Sequence, residues 1–337
     1  MSGPHPSTAK IRYAVRSALA DLPPGSVVLV ACSGGGDSMA LAEAVAHEQR
    51  HASWSGGAVV VDHGLQLGSD ETASRAAEWV RDLGLDPVLV ERVVVSESGS
   101  GLEAAARDAR HAALETVATR AGAAAVLLGH TLDDQAEQVL LGLVRGSGAR
   151  SLAGMPVHAE RGTRARYRLC RPLLGVTRAE CRESCIAEGV PWWDDPMNED
   201  TDFTRVRARR AVADLEADLG PGVAAALARS ADQLREDADH LDALADAAAT
   251  TLGTGPWDVA QLAGLPRAVR TRVWRRLLVA AGAPAGQVSA RHTDACDALV
   301  ADWHGQGPVH APGDLRVLRR KGRVAVMSGS DGGGSAW

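Results

Sequence analysis

Apolar residues along this chain come in short unbroken blocks separated by stretches of helical periodicity. Val27 to Cys32 is a strand-length apolar run, and an Ala- and Leu-rich helical stretch follows from Met39 to His51. Ala58 to Asp62 predicts a second buried strand, Glu71 to Leu83 a helix stopped by Gly84, and Pro87 to Val95 a β-branched strand. Leu102 to Ala121 predicts another helix closed by a glycine, Ala124 to Gly129 a strand, and Leu132 to Arg145 a helix. Strands alternating with helices imply βαβ units and a parallel sheet covered on both faces, a Rossmann-like α/β fold. In such sheets ligands bind at the carboxyl ends of the strands.

Beyond Gly146 the pattern changes. Residues 151–172 are Arg-rich and predict a hairpin or loop, and Thr177 with Glu180 predicts a capping box that opens a helix. Trp192 to Thr201 reads as a loop. The chain from Thr204 to Leu252 reads as helix with a break at Gly220-Pro221-Gly222. Residues 254–300 predict a small helical domain, and Val309 to Val326 a terminal hairpin. The expected organisation is an N-terminal helix or extension over 1–24, a catalytic α/β domain over 25–215 and a linker helix over 216–252. A smaller, mainly helical C-terminal domain with its hairpin follows over 253–327, then a Ser/Gly-rich tail over 328–337.

The length of 337 residues accommodates two or three such domains. A net charge of −6 excludes a uniformly basic nucleic-acid binder but leaves room for local basic faces. Arginines cluster at 161–182, 205–210, 267–276 and 316–323, all beyond the glycine-rich half, which favours an anionic macromolecule as partner. The first 25 residues lack the apolar segment of a signal peptide, and no apolar run approaches the ~20 residues of a membrane span. The five cysteines form no CxxC pair. A cytoplasmic protein with no membrane partner is expected.

Three segments carry chemistry. Ser33-Gly34-Gly35-Gly36-Asp37-Ser38 turns a strand into a helix, where glycines allow positive φ and the helix start offers N–H groups and positive dipole to an anion. It lacks the Gly-Lys-Ser/Thr ending of a Walker loop. Asp37 instead places a carboxylate beside the phosphates, suited to Mg2+ and to a leaving pyrophosphate. Asp62-His63 ends the second strand and faces the same region. His130, Asp133, Asp134 and Glu137 follow the fourth strand, and Asp133 and Glu137 share a helix face at i,i+4 spacing. Such a cluster reads as a cation site for Mg2+, an amine substrate or both. Arg107 and Arg110 are alternative candidates for nucleotide phosphates.

These motifs occur in order with Val61-Asp-His-Gly-Leu65, Glu103-Ala-Ala-Ala-Arg107, Arg145-Gly-Ser-Gly148, Gly154-Met155, Arg171-Pro-Leu-Leu174, Trp193-Asp-Asp-Pro-Met-Asn198 and Phe203-Thr-Arg-Val-Arg-Ala-Arg209. The set resembles the tRNA(Ile)-lysidine synthetases of the N-type ATP pyrophosphatase (PP-loop) superfamily, strongly over 27–210 and more loosely over 211–326. Two positions depart from the family pattern. Pro196 stands where the family commonly has Ser, and Val206 where it has Asn.

The resemblance implies an ATP-consuming ligase with tRNA(Ile) carrying a CAU anticodon and L-lysine as partners. ATP adenylates the C2 oxygen of the first anticodon cytidine, and the lysine ε-amine then displaces AMP to give lysidine. It implies Ser33 to Ser38, Asp62 and His63 at ATP, and Asp37, Asp133 and Arg107 in catalysis, with Mg2+ on Asp37 and Asp133. Asp134 and Glu137 are expected at lysine, and Arg205, Arg207 and Arg209 at tRNA. Whether the protein is a monomer or a homodimer is left open. The competing reading is a PP-loop tRNA thiolation enzyme, for which Cys181 and Cys185, spaced CxxxC, are the nearest candidates.

Overall fold

The computed structural model describes residues 3–62, 64, 68–93, 102–146, 148–162 and 166–328, without the side chains of 102–104, 106, 107, 198 and 199. The chain divides into two units, Met1–Leu234 and Arg235–Trp337.

In the first unit, α1 (Pro6–Ala18) precedes β1 (Val27–Cys32), α2 (Gly36–Glu48), β2 (Ser55–Asp62), α3 (Ser69–Asp82), β3 (Val88–Arg92), α4 (Leu102–Ala121), β4 (Ala123–Leu128) and α5 (Leu132–Val144). Then come the short α6 (Ala149–Leu152), β5 (His158–Arg161), β6 (Tyr167–Cys170), α7 (Arg178–Glu188) and α8 (Thr204–Leu219). The sheet order is β3-β2-β1-β4-β6-β5, parallel except for β5, which pairs antiparallel with β6.

Alternation along β1 explains its unbroken hydrophobicity. Val28, Val30 and Cys32 pack in the layer that holds α1, α2, α3 and α7, while Leu29 packs in the layer of Leu114, Val117 and Ala118 from α4. Of the hairpin or loop expected within 151–172, the structure forms the antiparallel pair β5–β6, whose second strand joins the sheet beside β4. Helix α1 is part of the first layer. Ile11 and Val15 are fully buried, and the buried Arg12 is held by Glu43 of α2 and, at 2.9 Å, by Glu188 of α7.

The break expected at 220–222 separates α8 from α9 (Val223–Leu252). The second unit contains β7 (Trp257–Asp258), α10 (Val259–Ala263), α11 (Arg267–Ala280), α12 (Ala290–Ala301), β8 (Val309–Ala311), β9 (Leu315–Arg320) and β10 (Arg323–Ser328). The expected terminal hairpin is the centre of a four-stranded antiparallel sheet, β7-β10-β9-β8. Its inner face contributes Leu315, Val317 and Val324 to a core around the fully buried Trp274. Among the described residues, no helix is long and apolar enough to cross a membrane.

Candidate functional site

The sheet order places β1 between β2 and β4, so connections leave it in opposite directions and a crevice opens at the carboxyl ends of β1 and β4. Both glycine-rich and acidic motifs lie there. Gly34 has φ 81, a left-handed conformation that favours glycine. Ser38 Oγ accepts from the Ser33 N–H at 3.2 Å and donates to the Gly35 carbonyl at 2.9 Å, which folds the loop on itself. Gly35 caps α2 without any side-chain hydrogen bond, so the helix start is left to an external anion. Gly129 permits the two motifs to meet. A Cβ there would stand 3.1 Å from the backbone of Asp37 and Ser38.

Asp133, Asp134 and Glu137 surround this contact, each with a distinct partner. Asp134 is the third residue of a capping box. Its Oδ2 accepts from the Thr131 N–H at 2.8 Å while Thr131 Oγ1 accepts from the Asp134 N–H at 3.4 Å. Asp133 Oδ2 accepts from the Arg178 N–H at 2.8 Å. Glu137 is 2 % exposed and accepts from Arg209 Nε at 2.8 Å.

Arg178 joins the whole cluster. Its guanidinium lies 2.9 Å from Asp134, 3.3 Å from Asp37 and 3.6 Å from Glu137. Even so, Asp37 Oδ1 and Glu137 Oε2 are buried without a hydrogen-bond partner. Burial is the main cause that pushes the Asp37 carboxyl up to about 6. Asp134 and Asp133 add to the rise, and Arg178 opposes it. Burial likewise raises Glu137 against the pull of Arg209. For Asp134, burial is outweighed by Arg178 and the Thr131 hydrogen bonds, and the carboxyl is held below its usual range.

His130 is pushed down to about 3, chiefly by burial and then by the charges of Arg171, Arg205 and Arg110, against Asp134. It is therefore a neutral imidazole in this site. The charge of Arg110 thus reaches the acidic end of β4, whereas the Arg107 side chain lies outside the described residues. So does His63. Asp62 is buried at the end of β2, where Oδ1 accepts from the Gly64 N–H at 2.9 Å and Oδ2 faces Arg92 at 3.7 Å. On α8, Arg209 turns into the cluster, and Arg207 donates to the carbonyls of Thr201 and Asp202 at 2.7 and 2.9 Å.

Comparison with known proteins places these features in one family. A PP-loop domain model matches residues 7–216, and a TilS substrate binding domain model matches 258–325. The tRNA(Ile)-lysidine synthase of Thermobifida fusca is 53% identical over 97% of this chain and 100% of its own. The chain belongs to the tRNA(Ile)-lysidine synthase family. The Streptomyces coelicolor member is 48% identical over 97% of this chain and 100% of its own, and the Leifsonia xyli member 52% over 89% and 90%. Among solved structures, the U34-tRNA thiolase NcsA from Methanococcus maripaludis with its [4Fe-4S] cluster superposes with a TM-score of 0.56. It shares 17% identity over 68% of this chain and 80% of that one, a likeness of fold alone.

The family's ATP-dependent ligase chemistry fits the cysteines of this chain. All five are buried and free, and burial raises each thiol, Cys185 to about 12 and Cys181 further. None is poised as a sulfur nucleophile at neutral pH. Two further family motifs pack beside the site. The Trp193 N–H donates to the Gly34 carbonyl at 2.9 Å, and the Trp192 ring lies beside Gly36, so this segment closes over the PP-loop. The Gln135 side chain brackets Met155, accepting from its N–H at 2.7 Å and donating to its carbonyl at 3.1 Å.

The two departures from the family pattern have local reasons. Val206 is buried on α8, as are Ala208 and Val212, so an apolar residue suits the packing there. Pro196 opens a 3-10 turn capped by the Asp195 side chain on the Met197 N–H at 2.9 Å. Sequence reasoning counted Arg178 only as one of a basic cluster. The usable signal was its position immediately after Thr177, the cap of a helix that points at the crevice.

Tertiary structure also sorts the arginine clusters. Arg267, Arg270 and Arg272 pair with Asp294, Asp297 and Asp242 at 2.7, 2.5 and 3.1 Å. Arg276 pairs with Asp246, and Arg275 donates to the carbonyls of Val288 and Ala285. This cluster is consumed inside the second unit. By contrast, Arg316, Arg320, Lys321 and Arg323 are exposed and make no ion pair among the described residues.

Proposed function

We propose that this chain ligates L-lysine to C2 of the first-anticodon-position cytidine of CAU-anticodon tRNA(Ile), with release of AMP and pyrophosphate. The observation that carries the reading is the meeting of an uncapped PP-loop helix with four carboxylates and Arg178 at one sheet crevice. The backbone N–H groups of the loop hold the β,γ-phosphates. The cytidine C2 oxygen attacks the α-phosphorus and pyrophosphate departs, its developing charge met by the helix start and Arg178. The lysine ε-nitrogen then forms the C–N bond at C2, the C2–O bond breaks, and AMP leaves with that oxygen. Glu137, raised by burial, is placed to take the proton that the amine loses.

Asp37 and Asp133 fit a Mg2+ ion, which would neutralise phosphate charge when bound. Asp37 Oδ1 is a buried acceptor without a partner, and Asp133 adds negative charge beside it. Among the described residues no group of three or more ligands is assembled. A Mg2+ ion is commonly held by one or two carboxylates together with substrate phosphates and water.

For the tRNA, Arg205, whose charge reaches His130, and Arg207 remain candidates on α8, while Arg209 serves Glu137. The second unit offers a further surface. Arg316 and Arg320 share the outer face of β9, and the pairings His310↔Arg316 and Arg320↔Arg323 extend that face across three strands. A cavity of about 450 Å³ lined by Arg291, His292, Ala295, Val309 and His310 adjoins it. Replacing Arg316, Arg320 and Arg323 together by Ala is expected to raise the tRNA KM and leave kcat unchanged. The slope of log binding constant against log salt should fall by about 1 per lost phosphate contact. An unchanged slope in filter binding at several salt concentrations removes this surface from the reading.

The function itself is tested by incubating the protein with ATP, radiolabelled lysine and an unmodified CAU-anticodon tRNA(Ile) transcript, with methionine tRNA as control. Label is expected in the isoleucine tRNA alone. ATP turnover to AMP without label in that tRNA would overturn the assignment.

A further inference from the structure

The carboxylates proposed to receive a lysine ammonium already hold a guanidinium. Arg178 Nη2 lies 2.9 Å from Asp134 Oδ1 and 3.6 Å from Glu137 Oε1, and its Nε lies 3.3 Å from Asp37 Oδ2. The Arg178 backbone cannot retreat. It is the first residue of α7, fixed by the reciprocal capping box of Thr177 and Glu180 and by its own N–H bond to Asp133. The side chain is different, with four rotatable torsions and an exposure of 21% at the edge of the crevice.

Its departure leaves acceptors ready. Asp37 Oδ1 and Glu137 Oε2 are buried and unpartnered even with Arg178 in place, so the cluster can take another cation as soon as one leaves. The group able to draw Arg178 out is also defined. Asp37 sits in the first turn of α2, the uncapped helix start that binds phosphates, so a bound nucleotide brings several anionic oxygens beside the guanidinium. Guanidinium binds phosphate oxygens through paired N–H donors at least as well as it binds carboxylates.

We propose that Arg178 orders substrate binding. Without nucleotide it fills the acceptor positions on Asp134 and Glu137, and the phosphates of ATP draw it toward the loop and open those positions to the lysine ammonium. This inference rests on the lysine-site reading above. Because coupling between two ligands is reciprocal, lysine must tighten nucleotide binding by the same factor.

The test is calorimetric binding of L-lysine to the full chain, with and without Mg2+ and an ATP analogue methylene-bridged between the α- and β-phosphates. Wild type is expected to bind lysine about tenfold or more tightly when the analogue is present. Arg178→Met should bind lysine without nucleotide and show no enhancement, while Arg178→Lys should retain part of it. A residue that only supported the fold would weaken both ligands and keep their coupling. Equal lysine affinity in wild type with and without the analogue overturns the proposal, and this arm needs no variant to fold. Full coupling in Arg178→Met overturns it as well. Labelled-lysine incorporation by the same wild-type preparation separates the two readings. Absence of label in tRNA defeats lysine ligation, whereas label without coupling defeats only the binding order.

Discussion

Asp37→Ala is expected to lower lysine incorporation by about 10²–10³-fold, the effect of removing a preorganised charge at the centre of a transition state. Asp37 is the one carboxylate that stands in the phosphate loop, touches Arg178 and keeps a buried oxygen without a partner. Its substitution removes a proposed Mg2+ ligand and unbalances the cluster at once. The same residue sets a pH dependence. Burial raises its carboxyl from an ordinary 3.8 to about 6, and only the ionised form can hold a cation beside the phosphates. The wild-type rate should therefore fall as pH drops through about 6.

The sign for stability is opposite. A carboxyl whose folded-state pKa is raised contributes stability that is fully present below 3.8 and lost as pH rises through about 6. Asp37→Asn escapes that loss and should be more stable than wild type at pH 8 while inactive. Steady-state assays and urea unfolding at pH 5 and pH 8 read both effects. Full activity in Asp37→Ala, or equal pH dependence of stability in wild type and Asp37→Asn, would defeat the assignment.

The second large effect is on stability. Asp297→Ala is expected to cost about 3–5 kcal/mol because it strands a buried charge. Arg270 and Asp297 are 7% and 5% exposed and meet through two parallel hydrogen bonds of 2.5 and 3.2 Å. Without the carboxylate, the guanidinium keeps the Leu265 carbonyl at 2.9 Å but no counter-ion, and Arg267, previously 3.7 Å from Asp297, adds repulsion. Replacing both partners by apolar residues, Arg270→Met with Asp297→Leu, should return stability to within about 1–2 kcal/mol of wild type. Urea unfolding of the full chain measures all three proteins. A loss below about 1 kcal/mol for Asp297→Ala would show that water reaches the pair.

Much of the first unit was readable from one dimension. The apolar blocks ending at Cys32, Asp62 and Gly129 became strands because both faces of a central parallel strand are buried, and such strands show no polar alternation. The capping box at Thr177 was likewise legible, since its partners are three residues apart. Strand β6 was harder to read. Four residues flanked by arginines look like loop until Leu169 and Cys170 are seen fully buried beside β4. The outer strands of the second unit's sheet, two and three residues long, carry too little pattern to stand out.

The sequence by itself determined the fold class, the phosphate loop and the acidic helix start. Each is a local pattern whose meaning depends on residues within one turn or one strand. Only the tertiary structure decided what those carboxylates touch. Arg178 is 141 residues from Asp37 and 44 from Asp134, and Arg209 is 72 from Glu137. Apart from the place of Arg178 directly after the Thr177 cap, local spacing does not distinguish these two arginines from those of the exposed hairpin or from those consumed by ion pairs in the second unit. Which cation meets which buried carboxylate is settled by how helices α7 and α8 are brought to the crevice, since a buried charge is tolerated only where the fold supplies its counter-charge.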